Sequence, residues 1–185
     1  MKPGVHNEAA PKVCVPAQDG PTPQERDLAM FLSYWRERAG AAFPSRRDID
    51  PVDIPHLLSH LLLTDAEHGG MSFRVRLAGT GLNDANGGEL SGTVIDGGAE
   101  HGGANGLVRR ILGGALRHRV PVYAGGLWHT SRDVWLFGRG VAAPLSDDNV
   151  GVTGVIVCFS RFTYAMPEAL LNGQYGFMTP LPAAD

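Results

Sequence analysis

Residues 152–159 restrict the architecture more than any other stretch of this chain. In extended form Val152, Gly154, Ile156 and Cys158 point one way and Thr153, Val155, Val157 and Phe159 the other, so neither face offers a charge to water. A strand that is apolar on both faces needs cover on both. The chain must place it inside a sheet and supply a layer on each side.

Other segments supply those parts. Residues 61–66 run from apolar to polar, His68-Gly69-Gly70 can turn the chain, and Phe73, Val75 and Leu77 alternate with Ser72, Arg74 and Arg76. This pattern predicts a β-hairpin with one dry face. Strands are expected over residues 122–128, 134–144 and 150–164. Their connections, 129–133 and 146–149, are short and rich in turn formers, so the three strands should form a meander. Trp128 and Trp135 should face each other across the first of these turns. Residues 79–88 read as a short helical turn broken by glycines. A longer helix over 105–119 carries Leu107, Val108, Ile111, Leu112, Ala115 and Leu116 on one face and is ended by Pro121.

Two helices are expected nearer the N-terminus. Thr22-Pro23-Gln24-Glu25 has the form of a capping box, and Leu28, Phe31, Leu32, Trp35 and Ala39 recur at helical spacing before Gly40, giving an amphipathic helix over residues 25–39. This helix, or a partner subunit's copy, is the natural cover for the second face of the sheet. Asp50 can cap a further helix that begins at Pro51 and places Ile54, Leu57 and Leu58 on one side. The fold class is therefore α+β: one antiparallel sheet with helices on one face and an N-terminal amphipathic helix.

At 185 residues and 43% hydrophobic content the chain can bury one sizeable core. Residues 1–21, with Pro3, Pro11, Pro16 and Pro21 and no periodicity, read as a disordered leader. Residues 22–165 form the domain, and 166–185 a C-terminal tail that reads as a loose end. A formal charge of −3 argues against nucleic acid or a membrane surface as partner, and Arg46-Arg47 and Arg109-Arg110 read as solvated faces. No run approaches the ~18 apolar residues of a membrane span, and the N-terminus lacks the apolar core of a signal peptide, so the expected location is cytoplasmic. Cys14 and Cys158 form no metal or redox pair by spacing, and Cys158 reads as a small buried hydrophobe.

Motifs that would carry chemistry are weak. His56 and His60 have i, i+4 spacing but lack the glutamate of H-E-x-x-H. Gly138, Gly140 and Ala143 match G-x-G-x-x-A inside an expected strand that opens no helix. Gly79-Thr80-Gly81 follows a strand, yet Asp84 stands where the third glycine of a phosphate cradle belongs. Ser131 with His129, and Ser59 with His60, are chance neighbours in a chain with seven histidines. The expectation is that the chain is not an enzyme.

The element order, together with the strings WRERAG, PSRRDIDPVDIPHLL, FRVRLAGTGL, ELSGT and AAPLSDDN, resembles the PAS domain superfamily, in the form of a bacterial single-domain PAS-like family. The likeness covers roughly residues 25–165. It implies a five-stranded antiparallel sheet enclosing a small cavity against its helices, and a sensory or regulatory role in signal transduction. It also implies a signalling protein partner and a homodimer through residues 25–39. It implies no particular ligand, and the cofactor is unknown. A flavin photosensor would need its cysteine in an Asn-Cys-Arg-Phe-Leu-Gln-like helix, and neither cysteine has that setting. A haem would need an axial ligand from the helical side, where His101 and His118 are candidates. Arg139, inside an apolar strand, either reaches solvent or points inward to fix an anionic ligand, and completes the candidate cofactor-binding residues. Two rivals stand beside the sensory reading: an interaction adaptor whose cavity is filled by its own side chains, and a small cavity enzyme. Cavity volume separates the first pair, and a converging acid/base pair would mark the enzyme.

Overall fold

A computed structural model describes residues 25–40, 43–96, 105–148, 150–160, 162–164 and 177–181. Helix α1 spans Arg26–Arg38, α2 Thr80–Asn86 and α3 Asn105–His118. The strands are β1 Leu61–Glu67, β2 Ser72–Ala78, β3 Val94–Asp96, β4 Val122–His129, β5 Trp135–Leu145, β6 Gly154–Phe159, β7 Thr163–Tyr164 and β8 Phe177–Pro180. Seven follow one another in the order β3-β2-β1-β6-β5-β4-β8, and β7 pairs with β5 beside that path. All the pairings are antiparallel. The expected five strands are present as β1, β2, β4, β5 and β6, but five is too few. The added strands β3 and β8 lie at the two edges, and β8 belongs to the segment read as a loose end.

Strand β6 sits near the middle of the sheet, with β1 on one side and β5 on the other, as its two apolar faces require. Val155, Val157 and Phe159 join one hydrophobic cluster with Leu62, Phe73, Val122, Ala142, Leu82 of α2 and Ile111 and Leu112 of α3. Ile156 and Cys158 join the other, with Leu28, Phe31, Tyr34 and Trp35 of α1 and Leu57, Val141 and Leu145. The sheet is therefore covered on both faces, and α1 covers its own chain's sheet. Burial of Phe31, which is fully buried, stabilises this docking by roughly 2–3 kcal/mol. Trp35 donates its indole N–H to the Pro144 carbonyl at 3.0 Å, so its one polar atom is satisfied in the buried contact. The capping box expected over residues 22–25 lies outside the described residues apart from Glu25.

Three local expectations are corrected. The helix predicted from Pro51 is two 3₁₀ turns, Pro51–Asp53 and Leu58–His60. Asp50 does cap the first turn, accepting from the Val52 N–H at 2.9 Å. Pro55 then prevents propagation, because the residue before a proline is pushed out of helical geometry, and Ile54 sits at φ −130. In the β1–β2 pair the register shifts between Leu63 and Thr64 of β1, so Arg76 is an extra residue in β2. The alternation breaks there, and Leu77 is 45% exposed instead of joining Phe73 and Val75 on the dry face. The β4–β5 register pairs Trp128 with Leu136 and His129 with Trp135, so the two tryptophans do not oppose each other. Trp135 stacks on His129 and Trp128 meets Phe162 edge-on.

Candidate functional site

The first place to look is the space between the sheet and α2 and α3. Phe73, Val75, Leu82, Ile111 and Leu112 are each no more than 1% exposed there, against Val122, Ala124, Ala142, Val155 and Val157, which are fully buried. These side chains belong to one contiguous cluster. Among the described residues, two glycines on this side are covered by side chains. Phe162 lies over Gly138, and on α3 the backbone at Gly114 is approached by Met178 of β8, where any Cβ would collide with the thioether. Buried Thr64 spends its hydroxyl on the Val155 carbonyl at 3.1 Å. The buried polar residues among those described are Thr64, Ser72, Asn86, Thr130, Ser146 and Ser160, which include no acid and no base.

Two of the three candidate cofactor residues are placed elsewhere. His118 is exposed near the C-terminal end of α3. Arg139 shares the face of β5 with Val141, Ala143 and Leu145, which is the α1 side, so it cannot reach a ligand held under α3. Its guanidinium instead donates to Glu25 at 3.2 Å, and the Tyr123 hydroxyl donates to the same carboxylate oxygen at 2.8 Å. Burial first, and then the hydrogen bond to Glu25, push the Tyr123 phenol up to about 12. This cluster anchors the start of α1 to β4 and β5. His101 lies outside the described residues.

Gly79-Thr80-Gly81 has a structural cause. A Cβ at Gly79 would strike the Leu58 carbonyl and the Ser59 backbone, so the glycine permits α2 to start against the 3₁₀ turn at residues 58–60. His60 accordingly hydrogen-bonds Ser59 at 2.8 Å beside that junction. No group of three or more metal-ligating side chains occurs among the described residues.

Three of the quoted sequence strings, through Arg46, Arg76 and Asp147, meet Asp65 in an ionic network on the α1 side. Asp65 of β1 accepts from Arg46 and from the bulged Arg76, and Arg46 also lies 3.6 Å from Asp147 in the β5–β6 loop. The Arg46 N–H donates to Asp147 at 3.1 Å and the Ser146 N–H to the Pro44 carbonyl at 3.0 Å, clamping the two loops together. Ser45 donates from its hydroxyl and its N–H to Asp48, which holds that carboxyl below its usual value. An open, polar pocket of about 570 Å³ is lined by Ser45, Arg46, Arg47, Asp48, Ser146 and Asp147. The available signal was Asp65, Arg74 and Arg76 inside strands whose pairing follows from the hairpin, since charges within a strand seek partners across it.

A second, more apolar groove of about 360 Å³ runs along the outer side of α1, between Met30 and the turn containing Asp53 and His56. Met30 is 43% exposed within it.

With this geometry in view, a family model described as a PAS domain matches residues 24–154. The chain belongs to the PAS domain family, whose members are generally sensory and signalling domains and typically not catalytic. No curated protein matches the sequence. Among solved structures, the dark form of the blue-light photoreceptor Aureochrome1 LOV is 15% identical with a TM-score of 0.44, covering 68% of this chain and 92% of that one. The PAS domain of Bordetella pertussis BvgS is 13% identical with a TM-score of 0.35, covering 66% and 94%. A fungal LOV domain photoreceptor is 13% identical with a TM-score of 0.41, covering 63% and 94%. At these scores the likenesses carry no argument about ligand or partner. No helix among the described residues is long and apolar enough to cross a membrane.

Proposed function

We propose that this PAS domain is a regulatory module that acts through contact with a protein partner and fills its interior with its own side chains. The observation that carries the reading is the packing under α3. Phe73, Ile111, Leu112, Val122, Val155 and Val157 are each fully buried and mutually clustered where a ligand of this family's fold would sit. A ligand site needs a few hundred Å³ of concave space with convergent polar groups, and the described residues supply apolar side chains instead. Among the described residues, one open pocket lies between the 45–48 turn and the β5–β6 loop and another along α1, where a protein surface can reach them. In this reading the domain works in the cytoplasm, in keeping with the buried, unpaired Cys158.

Thermal unfolding of the purified protein with flavin mononucleotide and with haemin tests the ligand half of this reading. The expected result is an unchanged Tm and no visible absorption in the protein as purified. A saturable rise of several degrees with either probe would overturn it, because a ligand that binds only the folded state must stabilise it.

A further inference from the structure

Helix α3 is charged unlike the other two. Helices α1 and α2 carry acids, Asp27, Glu37 and Asp84, whereas α3 holds Arg109, Arg110, Arg117 and His118 and no acid. The strands β3, β4, β5, β6 and β8, on which it packs, add one carboxylate, Asp96. Arg117 and His118 stand in the last turn, where the helix dipole favours cations, but Arg109 and Arg110 stand in the N-terminal half, where it does not. Ile111, Leu112 and Ala115 are buried in the core. On the opposite arc come Arg109, Arg110, Gly113 and Arg117, at steps of one, three and four residues.

Two arginines of this arc differ from the others in what holds them. Arg38, Arg46, Arg74, Arg76 and Arg139 each pair with a carboxylate. Arg109 instead donates to the Gly70 carbonyl at 3.0 Å and lies over the Phe73 ring, and Arg117 donates to the Gly113 carbonyl at 3.2 Å. Among the described residues neither meets an acid, so each guanidinium is positioned by a neutral group and keeps its charge and its other N–H donors for a carboxylate. Gly113, between them, is an independent sign. A Cβ there would meet only the Arg109 guanidinium, at an ordinary 3.8 Å, so the fold does not require a glycine, which weakens a helix relative to alanine. Bare backbone between two guanidiniums lets another chain come close.

We infer that the outer face of α3 receives an extended acidic segment of a protein partner, its carboxylates paired with Arg109 and Arg117 and its backbone passing over Gly113. This rests on the reading that the domain works through protein contacts, and it names the chemistry of one of them. Eight residues of helix separate the two arginines by roughly 12 Å. Acidic side chains four residues apart in an extended chain share one face and span roughly 13 Å, so one segment reaches both. A formal charge of −3 on the whole chain disfavours the dense phosphates of a membrane or a nucleic acid, while a short acidic segment meets only the local arginines.

Fluorescence anisotropy of a labelled deca-glutamate peptide titrated with the full chain measures this contact. Saturable binding is expected, with a Kd on the order of 100 μM at low salt that weakens several-fold at physiological ionic strength. Arg117→Glu should weaken it about tenfold, whereas Arg26→Glu, an equal change in net charge on exposed α1, should stay within about twofold. Gly113→Leu separates docking from folding: it should raise Tm by a few degrees through helix propensity and weaken the peptide about tenfold. Absence of binding at several hundred micromolar protein, equal losses in the two arginine reversals, or undiminished binding by Gly113→Leu would each overturn the inference. So would Arg117-dependent sedimentation with vesicles of equal parts phosphatidylglycerol and phosphatidylcholine in place of peptide binding. Each of these results would leave the filled-interior reading standing, since that one fails only on bound ligand.

Discussion

On the α3 side of the sheet the described residues are apolar and buried: Phe73, Ile111, Leu112, Val155 and Val157 belong to one cluster and each is at most 1% exposed. On the α1 side a second apolar cluster, built on Phe31, Trp35, Ile156 and Cys158, is bordered by charge, with Asp65 held between Arg46 and Arg76 and Glu25 between Tyr123 and Arg139. The difference lies in what each face can still do. Among the described residues, packed apolar side chains contribute stability, while charged borders and open grooves leave polar groups facing water.

The comparison is most strongly broken by cavities. Phe73→Ala or Leu112→Ala should cost about 3–5 and 2–5 kcal/mol in urea unfolding, the range for large buried side chains that leave a void. Either variant should also acquire a weak affinity for small apolar molecules, measurable by a rise in Tm with benzene. Trp35→Phe is smaller, about 1–2 kcal/mol in the same assay, because it strands the buried Pro144 carbonyl that the indole satisfies.

Alkali sharpens the contrast within the α1 side. Burial pushes the Cys158 thiol up to about 12, and the Tyr123 phenol stands at the same value. Between their ordinary values, near 9 and 10, and about 12, the unfolded chain gives up protons that the folded chain keeps, so folding stability falls as pH rises through that window. Unfolding monitored from pH 8 to 12 should show this decline. Cys158→Ala should flatten its lower part and Tyr123→Phe its upper part. A wild-type curve that stays level to pH 12 would remove both groups from the account.

Asp65→Asn should lose less, about 1 kcal/mol, and the loss should shrink in high salt, because Arg46 and Arg76 keep roughly a third to a half of their surface in water. Smallest of all is Met30→Ala, expected within about 0.5 kcal/mol in monomer stability because its side chain is already partly in solvent.

The alternation of residues 152–159, the turn formers at 146–148 and the apolar face of α3 were readable because each is a local pattern with a local structural answer. Pro55 was equally visible, and its veto over the helix after Pro51 is a one-residue effect that the spacing of Ile54, Leu57 and Leu58 concealed. Other features depend on partners distant in sequence. The bulge at Arg76 appears only in the register with Leu63 and Thr64, and Phe177–Pro180 becomes a strand only because β4 offers a free edge. Arg139 shows the same limit at the level of the site: a strand position gives two possible sides, and the faces of Val141 and Ala143 decide between them.

Native mass spectrometry of the freshly purified full chain tests the filled interior most directly. The account predicts that monomer and any dimer weigh one and two polypeptides with no added mass. A stoichiometric small molecule that stays bound in the native spectrum and leaves on denaturation would contradict it.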